Sequence, residues 1–211
     1  MPNDFLNRVF FAEDFKKWAM SVCQVNYSNL GPWEPRMVIP FFDENGKLIA
    51  AQGRALGQNE LRYITVKIHE DNSKIYGLDR WKSEEYTYIV EGPIDSMFLP
   101  NCLAVAGGDL HNVKINKELC VLIFDNEPRN TETVKKLMNA IQNNWRVVIW
   151  DKYDHYPGGY LGPGKGKDIN DLVIKGFSKE EILEFINKNT FKGLKADWAA
   201  REWRNVRGQD L

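Results

Sequence analysis

Four acidic residues, Glu91, Asp125, Glu127 and Asp168, stand where apolar runs end, and their placement sets the chemistry to expect. Glu91 follows Tyr86-Thr87-Tyr88-Ile89-Val90 and opens the segment Glu91-Gly92-Pro93-Ile94-Asp95. Asp125 and Glu127 follow Cys120-Val121-Leu122-Ile123-Phe124, one residue apart and just before Pro128. Asp168 lies in Lys167-Asp168-Ile169-Asn170-Asp171, behind the run Arg146–Trp150 and a glycine-rich stretch, Gly158 to Lys167. Carboxylates at the carboxyl ends of neighbouring parallel strands converge on one crevice, which is where open α/β sheets bind ligands. Several hard oxygen donors there suit Mg²⁺, which shares its coordination with substrate phosphates. Metal-dependent phosphoryl or nucleotidyl transfer is therefore the chemistry this set would perform. Each segment alone has a plainer reading. Glu91 and Asp95 fit a solvated helix cap, or Glu91 a general base whose pKa is raised by other carboxylates. Asp125 and Glu127 fit an Asx turn before proline as well as a metal site. The glycine-rich loop with Lys165 and Lys167 fits a flexible connector as well as a phosphate cradle.

The elements that must position these residues can be read from periodicity. Residues 1 to about 30 place Phe5, Val9, Phe11, Phe15, Trp18, Ala19 and Val22 at near-helical spacing, which predicts helix. Arg36–Phe42 and Lys47–Arg54 read as two strands joined by a turn at Asp43-Glu44-Asn45-Gly46, and Leu61–Ile68 as a third. From Tyr86 onward strands and helices alternate. Strands are expected at 86–90, 103–106, 120–124 and 146–150, with helices at 93–99 and from an N-cap at Thr131 to about Asn143. Such alternation implies a mainly parallel sheet with helices packed on it. A further helix is expected from Ser178 to about Asn187, capped by Ser178 with Glu181. An amphipathic helix carrying Trp198, Arg201, Trp203, Arg204 and Arg207 is expected after Lys192. The chemistry thus falls in an α/β part, preceded by a small, mostly antiparallel α+β part, with a boundary near residue 83.

With 211 residues, 43% of them hydrophobic, the chain can build a substantial core. No run is long and apolar enough to span a bilayer, and Asp4 and Arg8 interrupt any signal-peptide pattern, so no membrane partner is expected. The net charge of −1 does not announce nucleic acid, so such binding would rest on a local basic patch. Three scattered cysteines, Cys23, Cys102 and Cys120, form no CxxC pair, which argues against zinc within this chain and for buried thiols of an intracellular protein. The three histidines, His69, His111 and His155, show no ligand spacing.

Taken together, the order, strand context and spacing of the acidic segments resemble the TOPRIM domain shared by primases, type IA and type II topoisomerases and some nucleases. EGPID occupies the place of that family's Glu-Gly motif and FDNEPRN that of its paired-acidic motif. Asp168 in GKDIND aligns with its third metal-binding acidic position. One departure is Glu127, longer by a methylene than the family's aspartate, which leaves metal held there through water or by Asp125 alone. The upstream residues Arg36–Ile49, Gln52–Gly57, Arg62-Tyr63 and Ile75–Leu78 resemble the segment preceding TOPRIM in DnaG-type primases. DNEPRN and GKDIND look most similar to the T-even-type bacteriophage primases, and the likeness covers roughly residues 36 to 175.

The resemblance implies a TOPRIM domain over 84–176, an N-terminal part of the primase catalytic core over 1–83, and a C-terminal helical segment over 177–211. It implies RNA primer synthesis on a single-stranded DNA template from ribonucleoside triphosphates, with Mg²⁺ or Mn²⁺ held by Glu91, Asp125, Glu127 and Asp168. Arg54, Arg62, Asp95, Lys165 and Lys167 would contact nucleotide or template, and Trp33, Trp81, Tyr153 and Tyr160 are candidate stacking platforms. It further implies a replicative helicase as partner. DnaG-type primases begin with a zinc-binding module, and none is read in this sequence, which leaves three readings open: a fragment, one half of a split primase with a separate zinc-binding primase chain, or a streamlined form that borrows template recognition from a partner. The expected location is the cytoplasm, of an infected bacterium if the chain is phage-encoded. Two alternatives carry the same acidic set: a TOPRIM nuclease, and a non-catalytic TOPRIM module that binds a helicase.

Overall fold

The computed structural model describes residues 8–24, 35–57, 61–107, 115–150 and 165–204. By packing, the chain forms two units: Met1–Trp81 with Leu103–Lys114, and Lys82–Cys102 with Ile115–Leu211. This partition follows spatial contact and differs from the division at 83 and 176 expected from the sequence.

The first unit is built on an antiparallel sheet of order β1-β2-β3-β4, with strands at Phe10–Ala12, Arg36–Phe42, Leu48–Ala55 and Tyr63–Lys67. The β2–β3 hairpin turns on Gly46 at φ 77°, a left-handed conformation that glycine adopts without penalty. Asp43 Oδ1 accepts from the Asn45 and Lys47 amides at 2.9 Å each and fixes that turn. The helix expected over the first 30 residues is shorter than its apolar spacing suggests, because α1 spans only Phe15–Val22. Asp14 accepts from the Lys17 amide at 2.8 Å and sets its start, which leaves Phe10–Ala12 to pair antiparallel with β2. Phe15 and Ala19 pack with Val38, Ala51 and Val66 into the core of this unit. Burying the Phe15 ring alone contributes about 2–3 kcal/mol.

The second unit carries a five-stranded sheet of order β6-β5-β7-β8-β9. Its strands are β5 (Thr87–Val90), β6 (Cys102–Ala104, where the chain passes into the first unit), β7 (Cys120–Ile123), β8 (Arg146–Val148) and β9 (Thr190–Phe191). β5–β7 and β7–β8 pair in parallel and β9 closes the edge antiparallel to β8, so the sheet is mainly parallel as expected. All residues of β5 and β7 are buried, as the apolar runs of a covered parallel sheet require. The helices are α2 (Pro93–Ser96), α3 (Thr131–Gln142), α4 (Ile169–Ile174), α5 (Lys179–Lys188) and α6 (Leu194–Arg204). Asn130, not Thr131, caps α3, its side chain accepting from Glu132 N and Thr133 N. Ser178 and Glu181 form the expected capping box on α5. Sequence reading passed over α4 and β9, which are too short for a clear period. Among the described residues no helix is long and apolar enough to cross a membrane.

Candidate active site

The register Val90↔Ile123 makes β5 and β7 end level, so Glu91 and Asp125 leave the sheet at the same edge. At the end of β5, Gly92 has φ −104°, extended backbone open to any residue, so a sharp turn does not explain the glycine. Space does. A Cβ on Gly92 would lie 2.6 Å from Asp95 Oδ2, because the Asp95 carboxylate folds back over this position from the first turn of α2. Its other oxygen, Oδ1, accepts from the Asn170 amide at 2.8 Å and thereby ties α2 to the start of α4.

Asp95, Asp125 and Asp168 line one crevice, walled by Val90, Ile123 and Ile169. Burial, reinforced by the charges of Glu91, Asp95, Asp168 and Glu127, pushes the Asp125 carboxyl from 3.8 up to about 7. Asp168 caps α4, its Oδ1 accepting from the Asp171 amide at 2.6 Å. Asp171 in turn accepts from the Lys167 amide and pairs with Lys175, both at 2.8 Å. Burial opposes ionisation of Asp171, but the bonds from Lys175 and the Lys167 amide win and hold its pKa below the usual value.

Glu91 and Glu127 flank the crevice, each beside a lysine. Glu91 Oε2 lies 3.4 Å from Lys136 Nζ on α3, and the buried Oε1 has no hydrogen-bond partner among the described residues. Glu127 turns toward Lys167 Nζ at 3.3 Å and toward the start of α3, where Oε2 accepts from Asn130 Nδ2 at 2.7 Å and Thr133 Oγ1 at 3.4 Å. Burial would lower the Lys167 pKa, but its hydrogen bond to Glu127 and the charges of Glu127, Asp125 and Asp168 raise it instead. Lys165 contributes its carbonyl to Lys175 Nζ at 3.3 Å. Each outer carboxylate therefore relieves repulsion through its own donor. Among the described residues no three His, Cys, Asp or Glu side chains already close on a single ion. The donor set nevertheless fits a hard divalent cation: all its donors are carboxylate oxygens, one is buried without a partner, and their mutual repulsion remains unbalanced at Asp125.

Arg54 and Arg62 belong to the first unit. Arg62 is exposed, and Arg54 is half-buried with its guanidinium 5.7 Å from the Tyr63 ring centre. Arg36 is fully buried beneath them, donating to the carbonyls of Gly53 (3.0 Å), Leu61 (2.8 Å) and Arg62 (3.2 Å), and so fixes the backbone of Arg62. Trp81 is half-buried. Trp33, Tyr153, Tyr160 and most of the glycine-rich loop lie outside the described residues. Sequence reading did not single out Lys136 or Arg36, since a lone lysine on a helix and an arginine opening a strand carry no distinguishing spacing. Nor did it find the link from Trp203 to Asn126, which joins residues 77 apart.

No protein-family model matches the chain. It is 36% identical over 209 residues to the DNA primase of Enterobacteria phage T4, an alignment covering 98% of this chain and 58% of that protein. The RNA polymerase domain of Mycobacterium tuberculosis primase DnaG superposes with a TM-score of 0.56 at 14% identity, over 93% of this chain and 68% of the other. The Aquifex aeolicus primase, comprising zinc-binding and RNA polymerase domains, gives a TM-score of 0.53 at 20% identity, over 88% of this chain and 48% of the other. At such identities the structural matches speak to fold alone: a TOPRIM α/β core preceded by an antiparallel sheet. The chain is a homologue of the T4 DNA primase over nearly its whole length, and it has the fold of the DnaG-type primase catalytic core.

Proposed function

We propose that this chain is a primase catalytic core that synthesises RNA primers on single-stranded DNA by divalent-metal-dependent nucleotidyl transfer. The observation that carries this reading is the carboxylate crevice around Asp125 at the ends of β5 and β7, in a chain 36% identical to a primase. The chain spans 58% of that relative, so activity, substrates and partners are all part of the proposal.

In primer synthesis a 3′-hydroxyl attacks the α-phosphorus of a ribonucleoside triphosphate, a new P–O bond forms, and the bond to pyrophosphate breaks. Asp125 and Asp168 within the crevice, with Glu91 and Glu127 flanking it, would hold Mg²⁺ or Mn²⁺, and Asp95 in the crevice would contact nucleotide or template. Such an ion supplies Lewis-acid polarisation of the phosphate and charge neutralisation in the transition state. Glu91 presents its unpartnered Oε1 as an acceptor at the strand end. Lys167, now on Glu127, would move to the triphosphate, with Lys165 beside it, while Arg54 and Arg62 would contact template or nucleotide phosphates. A replicative helicase, implied by the resemblance, and a zinc-binding module, within a longer form of this chain or on a separate one, complete the proposed assembly. The division into 1–83, 84–176 and 177–211 is the functional partition that goes with it.

The test is incubation with single-stranded DNA, labelled ribonucleotides and Mg²⁺ or Mn²⁺, with the helicase and zinc-binding chain added in parallel reactions. Primers made by the wild type and lost in Asp125→Ala, in Glu91→Ala and on chelation are the expected result. Cleavage of the DNA without ribonucleotides would instead establish a nuclease, and helicase binding without synthesis under any condition a non-catalytic module.

A further inference from the structure

Between the two acidic residues of the DNE segment sits Asn126, a position with no chemistry of its own in the proposed reaction. Its three polar groups are all engaged. The backbone N–H donates to the Lys167 carbonyl at 2.7 Å, and Nδ2 donates to the Gly166 carbonyl at 2.9 Å. Oδ1 accepts from the indole Nε1 of Trp203 at 2.7 Å. The first two bonds join the loop after β7, which carries Asp125 and Glu127, to the loop that delivers Asp168. The third comes from α6. Trp203 is 4% exposed, and α6 is itself seated against α3 and β9.

Indole Nε1–H can only donate, so it selects the oxygen of the Asn126 amide and turns the nitrogen toward Gly166. Without that donor the amide can flip, set its oxygen against the Gly166 carbonyl and lose the bond that spans the two loops. A half-buried amide left in that state, oxygen against oxygen and without its donor, favours separation of the loops. Both loops carry carboxylates into the same crevice, and like charges there repel one another. Separation is therefore the direction in which charge already pushes.

We infer that Trp203 and Asn126 are positioning residues, a clasp by which the C-terminal helix holds Asp125 and Asp168 at the separation needed to share a divalent cation. The inference rests on the proposed metal site. It gives α6, which lies after all the acidic residues of the crevice in sequence, a part in that crevice that its amphipathic pattern does not suggest. Groups that orient metal ligands without touching the ion typically change affinity 10- to 100-fold when removed.

The experiment is a Mn²⁺ titration of the full chain, followed by electron paramagnetic resonance of free Mn²⁺, with no nucleotide or template present. Trp203→Phe keeps an aromatic ring and removes the N–H, and is expected to weaken Mn²⁺ binding about 10-fold. Asn126→Ala is expected to weaken it at least as much, and it carries the test if Trp203→Phe does not fold. Trp198→Phe alters an exposed residue of the same helix and should leave the affinity unchanged. In priming assays the same two variants should need about 10-fold more Mg²⁺ for half-maximal rate, with the rate at saturating Mg²⁺ nearly restored. A merely structural loss would lower that maximal rate without moving the Mg²⁺ requirement. Wild-type Mn²⁺ affinity in both Trp203→Phe and Asn126→Ala overturns the clasp when Asp125→Ala has lost binding. Undiminished binding in Asp125→Ala overturns the metal reading beneath it.

Discussion

Asp125 is where burial and charge act in the same direction, and its protonation is accordingly tied to folding. Its carboxyl is held at about 7 in the folded chain against an ordinary 3.8. Between these values the folded state binds the proton more tightly than the unfolded chain, so this residue's contribution to stability falls as pH rises from about 4 to about 7. The full penalty above pH 7 is at most about 4 kcal/mol, at about 1.36 kcal/mol per pH unit. Asp125→Asn should therefore raise the melting temperature of the metal-free protein at pH 8, by roughly 1–3 kcal/mol of stability, while abolishing priming. The gain should vanish near pH 4. Thermal melts across pH 4–8 in the presence of a chelator check this, and a variant less stable than wild type at pH 8 would sink it. Gly92 offers a second residue-level test, because its missing Cβ is the space the Asp95 carboxylate fills. Gly92→Ala should expel that carboxylate, break the 2.8 Å bond to Asn170, and cost primer synthesis on the order of 100-fold through misplacement alone. Steady-state primer synthesis beside a melting curve separates this from unfolding.

At the scale of elements, the first unit depends on one buried cation. Arg36 is fully enclosed, its guanidinium satisfies carbonyls on two strand segments, and its carbon chain lies where Gly53 has no side chain. Arg36→Met leaves the carbonyls of Gly53, Leu61 and Arg62 short of a donor and should cost about 3 kcal/mol, measured by urea unfolding. Gly53→Ala would place a methyl group 2.7 Å from the Phe15 ring and should cost about 1–3 kcal/mol. How far the elements could be read in advance follows the range of the forces that make them. The β2–β3 hairpin and the capping box of α5 are decided by neighbours within a few residues, and both were legible. So was the place of Glu91 and Asp125 just past β5 and β7, since the ends of apolar strands mark it. The segment before Phe15 was misread because Phe5, Val9 and Phe11 keep helical spacing, whereas β2 recruits Phe10–Ala12 as a strand. Lys136 on Glu91 and Trp203 on Asn126 were not legible at all, being contacts across 45 and 77 residues that no local pattern announces.

At the scale of the whole molecule, 28 basic residues face 29 acidic ones, so no net field draws an anionic template. The proposed active crevice would in fact repel it, since the groups lining it include Asp95, Asp125 and Asp168. The proposed template binding must then rest on discrete cations, and discrete contacts leave a countable signature. Each phosphate neutralised on a single strand releases condensed counterion and adds about 0.7 to the slope of log affinity against log salt. Arg62, exposed and with its backbone fixed by Arg36, is the residue proposed to make one such contact. Arg62→Ala should lower the magnitude of that slope by about 0.7 and weaken binding on every template sequence alike. Asp125→Ala, which removes a negative charge from the crevice, should leave the slope unchanged while eliminating synthesis. Fluorescence anisotropy of a labelled oligonucleotide over a KCl series measures both slopes. An unaltered slope in Arg62→Ala would remove this arginine from the template path. A reduced slope in Asp125→Ala would mean that the acidic crevice and the template contacts act as one electrostatic surface rather than two.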